Sequence, residues 1–177
     1  LLTSTKGTTM LSRDTELYLK GMRLTGDDIE MLEQALVENA DNIKMRIQLL
    51  AYFASNLRGQ LSHELSIEQK DNLTKHHARH SLYIVGHHPL DKISMRSWAI
   101  IDADSAPQDH ERARTLWLAH RMSKPPEGQL LLNAMAFLRK TEPAIAAKLA
   151  EQIRQLTDAA AFEADLKTLE EGEESPQ

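Results

Sequence analysis

The chain holds 177 residues, 41% hydrophobic and 27% charged, which excludes global disorder and is long enough for one self-sufficient core. It contains no cysteine, so disulfides, a cysteine nucleophile and thiolate metal sites are ruled out. Of the 26 acidic residues seven fall from Asp158 onward against one basic residue, leaving a body of 20 basic and 19 acidic residues with no Lys/Arg cluster, a poor footprint for nucleic acid.

Residues 1–10 are small and polar and read as a loose entry. A short helix is predicted over 13–24, capped by Ser12, with Leu17 and Met22 as its apolar contacts. A clear helix follows to residue 38, with Asp27 and Asp28 at its positive end and Ile29, Leu32, Ala35 and Leu36 at helical spacing. The turn Asn39-Ala40-Asp41-Asn42 leads into a helix over 43–57 that buries Ile47, Leu49, Leu50, Phe53 and Ala54. Ser66, with Gln69 three residues on, forms a capping box for a long helix over 67–87, which Pro89 stops. A shorter helix is predicted over 92–101, carrying Ile93, Trp98 and Ile101. Pro107 starts a helix reaching residue 122, and Pro125-Pro126 separates it from the most apolar helix, 128–139. Pro143 opens the next, using Ile145, Leu149, Ile153 and Leu156, and a last amphipathic helix spans 159–169. No segment alternates with a period of two, and turn residues are too few for a sandwich or barrel. The expected fold class is all-α.

Three segments, 28–53, 73–101 and 110–138, share one pattern: an amphipathic helix, a turn with Pro or Asn, and a second helix. Periods in the mid-thirties with two helices per unit indicate a helical solenoid. Leu32, Ala35 and Leu36 before the 39–42 turn, and Ala113, Trp117 and Pro125 further on, make the stretch 28–156 similar to the tetratricopeptide repeat family. It departs from that pattern at His77 and His120, which stand where small residues belong. The resemblance implies a right-handed α-solenoid of antiparallel helix pairs over 27–157, preceded by an extension (1–26) and closed by a capping helix and acidic tail (158–177). It implies a non-catalytic scaffold that binds a protein or peptide in a groove lined by first helices, with Lys44, Arg46, Gln48, Arg96, Gln129 and Asn133 as the polar candidates. The expected state is a monomer or weak homodimer, soluble, without a membrane span, and cytoplasmic or exported after signal removal.

Histidine supplies the sharpest chemical signal. His76 and His80 are four residues apart and share a helix face, with His77 and His80 forming an i, i+3 pair. Two imidazoles at that spacing suit Zn, Cu or Ni, with a third ligand from His63, Glu64 or His110. The alternative function is therefore a divalent-metal-binding or pH-responsive helical protein. The competing reading of His76, His77 and His80 is structural, as hydrogen-bonding residues at a helix junction. No Gly-rich phosphate loop and no Gly-x-Ser-x-Gly elbow occurs, and the carboxylate pairs Asp27-Asp28 and Asp102/Asp104 sit at helix starts. No catalytic residue and no obligatory cofactor is expected. Trp98 and Trp117 read as core residues, with an aromatic anchor for a peptide as the alternative.

Overall fold

The computed structural model describes residues 12–122 and 127–171, the side chains of 60 and 61 apart. The Pro125-Pro126 break, the residue 1–10 entry and the end of the acidic tail fall outside them. Among the described residues the chain is all-helical with no strand. Eight α-helices follow one another: α1 (Arg13–Gly21), α2 (Gly26–Glu38), α3 (Ile43–Arg58), α4 (Ile67–His87), α5 (Pro107–Arg121), α6 (Gly128–Leu138), α7 (Pro143–Arg154) and α8 (Glu163–Glu171). None is long and apolar enough to cross a membrane.

Local chemistry places the ends. Ser12 accepts from the Thr15 amide at 3.3 Å and Asn42 from the Met45 amide at 3.2 Å. Both capping boxes close: Thr25 with Asp28, and Ser66 with Gln69, each pairing a side chain with the partner's backbone N–H. Pro107 and Pro143 occupy first-turn positions where no N–H is needed. α1 ends at Gly21, short of the expected 24, because Gly21 lies against α3. A Cβ there would come within 2.3 Å of the Gln48 carbonyl oxygen and 2.6 Å of the Ala51 Cβ. Glycine lets the two backbones approach, and Leu17 then joins Ile47 and Leu50 in one buried cluster.

α6 is the centre of the molecule. Every residue from Leu130 to Leu138 is buried, as expected of a helix apolar on all sides, and α5, α7 and the 92–95 turn pack around it. Trp117 of α5 is 1% exposed within the same cluster, so it is a core residue. Trp98 is half-buried and packs on Tyr18 with ring centroids 4.9 Å apart. Consecutive helices α3 to α7 pack on their neighbours, whereas α2 meets α3 through a small contact. Met31 and Val37 of α2 are accordingly 62% and 76% exposed.

The helix expected over 92–101 is instead two 3-10 turns, Lys92–Met95 and Ser97–Ala99, separated by extended Arg96. The cause is tertiary. The Trp98 carbonyl accepts from His77 at 2.8 Å and the Ala99 carbonyl from the Ser81 hydroxyl at 2.8 Å, both on α4. An α-helix would turn those carbonyls into its own ladder.

Candidate functional site

α4 carries its polar residues on two faces. His76, Arg79, His80 and Tyr83 recur at i, i+3, i+4 and i+7, one stripe of the helix, and this stripe faces α2 and the α2–α3 turn. Its focus is Glu33 of α2. The Glu33 carboxylate lies 3.0 Å from His80 Nε2 and 3.4 Å from His76 Nδ1, and Arg79 donates to the same oxygen. On the far side of His80, Arg46 Nη1 donates to Nδ1 at 3.2 Å. Arg46 also donates from Nε and Nη2 to the Ala40 carbonyl, at 2.9 and 2.6 Å, and its guanidinium lies 3.3 Å over the Tyr83 ring. Phe53 stacks on both imidazoles, 5.3 Å from His76 and 5.9 Å from His80. Farther along, His88 meets Asp41 at 2.8 Å.

The protonation pattern follows from these partners. Burial pushes the His80 pKa down and outweighs the pull of Glu33. Arg46 can only donate, so Nδ1 of His80 accepts and its Nε2–H donates to Glu33. Burial works against the Glu33 carboxylate, but the bonds from His80 and His76 and the charge of Arg79 hold its pKa at about 2. A carboxylate–imidazole pair of this kind serves as a general base only where the second nitrogen is open to a substrate. Here Arg46 caps it. The cluster ties α2 to α4.

The metal expectation changes with this geometry. His77 points a third of a turn away from His76 and His80, to the Trp98 carbonyl, and burial lowers its pKa to about 4. Among the described residues His63 pairs with its neighbour Glu64, 3.8 Å away, and His110 stacks on Phe137 of α6. Glu33 is the third group that reaches His76 and His80, and the Arg79 guanidinium stands where a cation would be. Among the described residues no group of three or more His, Asp or Glu is arranged to hold a metal ion.

Two of the six groove candidates are internal. Arg46 is 6% exposed and engaged as above. Asn133 is 0% exposed, and its Nδ2 donates to the Pro89 and Asp91 carbonyls at 2.8 and 2.9 Å, fixing the 88–91 turn on α6. Gln129 Nε2 donates to the side-chain Oδ1 of Asn133 at 2.9 Å and is half-buried. Gln48 and Arg96 are half-buried, and Lys44 is exposed. The first-helix polar residues therefore do not line one common groove: they divide between α2–α4 contacts, the α6 interior and the surface.

What the fold does open is a pair of adjoining clefts on either side of the loop 100–106. Both share Arg58, Ile100, Ile101 and Asp102. One, of about 400 Å³, runs toward Lys70 and His77; the other, of about 540 Å³, runs toward His110, Phe137, Arg139 and Lys140. Asp102 Oδ1 holds the loop in shape by accepting from the amides of Asp104 and Ser105 and from the Ser105 hydroxyl, at 3.2, 2.9 and 2.7 Å.

Comparison with family models, curated proteins and solved structures finds no match to the chain.

The cleft was not readable as a site because its residues come from four separate stretches, around 58, 70–77, 97–110 and 136–141. Glu33 did leave a trace. It stands four residues after Ile29 and three before Leu36, on the apolar stripe of α2, where a carboxylate needs a partner.

Proposed function

We propose that the chain is a non-catalytic helical module that binds a protein or peptide segment in the paired clefts around the loop 100–106. The observation that carries this reading is the continuity of those clefts. They share a floor of Ile100 and Ile101 and are bordered by charged side chains on both sides, the combination that fits an extended segment with alternating apolar and polar side chains. The acid–base groups elsewhere support a non-catalytic role, since the Glu33–His80–Arg46 chain is closed upon itself. We also propose an irregular, tetratricopeptide-like solenoid as the arrangement of the helices, supported by the packing of α3 through α7 each on the next.

The test is selection of a displayed random-peptide library on the full chain, followed by calorimetry of the enriched peptides. Binding in the micromolar range is expected, with Ile100→Asp, at the shared floor, weakening it about tenfold or more by placing a carboxylate on the apolar floor. Enrichment no better than on bare matrix would contradict the reading.

A second reading, a pH-responsive protein, is favoured by one observation: Glu33, His76, His80 and Arg79 meet at the seam that holds α2, whose other packing is slight. Its consequence for stability is worked out below.

A further inference from the structure

We infer, building on the peptide-binding reading, that the segment taken by the clefts is acidic, its carboxylates meeting Arg58 and Lys140 while an apolar neighbour covers Ile100 and Phe137.

Charge favours this occupant. Four cations border the clefts, Arg58, Lys70, Arg139 and Lys140, against two acids, Asp102 and Asp104. The chain as a whole has the opposite balance, 21 basic to 26 acidic. Among the described residues the side chains of Arg58, Lys70 and Lys140 form no ion pair or hydrogen bond and are exposed, with Arg58 also acting through space on the Asp102 carboxylate. Among the described residues Arg139 gives one side-chain N–H to the Leu169 carbonyl at 3.2 Å and forms no ion pair. Asp102 is the less available of the acids, since three donors of its own loop already converge on one of its oxygens.

The floor supplies the second observation. His110 is only 7% exposed and lines the larger cleft, its ring stacked on Phe137 with centroids 4.6 Å apart. Its ring makes no hydrogen bond among the described residues, and the carboxylates of Glu111, Asp102 and Glu142 act on it through space. Beside Phe137 it extends the apolar floor that an uncharged neighbour in the bound segment can cover, while the segment's carboxylates meet the bordering cations. A basic segment would set ammonium groups against Arg58, Lys70 and Lys140.

The experiment is fluorescence anisotropy of the full chain with three labelled probes: hexaglutamate, hexalysine and a neutral Gly-Ser hexapeptide. Hexaglutamate is expected to bind, and Arg58→Gln/Lys140→Gln to weaken it about tenfold, each exposed charge acting across a partly desolvated cleft. Arg23→Gln/Lys148→Gln removes the same charge from exposed positions outside the clefts and is expected to leave affinity within about twofold. The inference is overturned if hexaglutamate does not bind, if the two double variants lose affinity equally, or if hexalysine or the neutral peptide binds as tightly. In any of these outcomes a library-selected, non-acidic peptide that still depends on Ile100 leaves the peptide-binding reading standing; failure of all peptides removes both.

Discussion

Arg46→Met is expected to destabilise the chain by about 2–3 kcal/mol, the range for leaving a buried polar group without its partner together with the lost contact on Tyr83. The guanidinium makes two hydrogen bonds to the Ala40 carbonyl and one to His80 Nδ1, and it covers the Tyr83 ring. Methionine fills much of the volume but offers no donor. His80 Nδ1 loses its donor in a site that is 6% exposed at Arg46 and 1% exposed at His80, and that unpaired buried acceptor carries the larger part of the cost, while the exposed Ala40 carbonyl can turn to water. The α2–α3 turn, held to α4 through Arg46, should loosen with it. Urea denaturation followed by circular dichroism measures the effect. A loss below about 1 kcal/mol would place Arg46 among ordinary surface residues and return it to the groove expected from the sequence.

Mild acid should be the second strong perturbation. Burial lowers the His77 pKa to about 4 from an unfolded value near 6.5, so the folded chain resists a proton that the unfolded chain takes up. The stability held by neutral His77 is complete above about pH 6.5 and is lost as the pH falls to about 4. With 1.36 kcal/mol per unit this amounts to about 3 kcal/mol. His80, lowered by burial as well, adds to the same window with the same sign. Glu33 acts in the next one. Burial opposes its charge, the bonds from His80 and His76 and the charge of Arg79 prevail, and its pKa of about 2 against an ordinary 4.5 stabilises the fold above pH 4.5. That contribution disappears as the pH approaches 2, and it is smaller because Glu33 is partly open to solvent. Urea midpoints at pH 7.5, 5 and 3.5 should fall steadily. His77→Gln, which keeps a donor for the Trp98 carbonyl and cannot titrate, should reduce the fall above pH 4 by about 3 kcal/mol. A flat profile from pH 7.5 to 4, or an unchanged one in His77→Gln, would contradict the assignment.

The sequence made the helices legible where the determinants are local. Ser66 with Gln69, Asn42, Pro107 and Pro143 start helices through contacts within one turn, and the apolar run of α6 announces its own burial. Legibility ends where distant partners decide. Ile93, Trp98 and Ile101 suggested a helix over 92–101, yet His77 and Ser81, some twenty residues earlier, take its carbonyls and leave 3-10 turns. Arg46 and Asn133 resembled surface ligands because Arg and Asn are usually exposed. Their partners are backbone carbonyls at Ala40, Pro89 and Asp91, which carry no mark in the sequence. The histidine cluster was half visible: the spacing of His76 and His80 gave one face of it, while Glu33 and Arg46 arrive from other helices. The clefts had no local signature, being assembled from loop ends.

Amide chemical-shift mapping of the full chain, titrated with the tightest peptide from the library selection, tests the central claim most directly. Perturbations are expected to gather at Arg58, along the loop 100–106, and at Phe137 to Lys140, the residues that surround the clefts. Perturbations gathered instead around Lys44, Gln48 and Arg96, with the cleft residues unmoved, would contradict it.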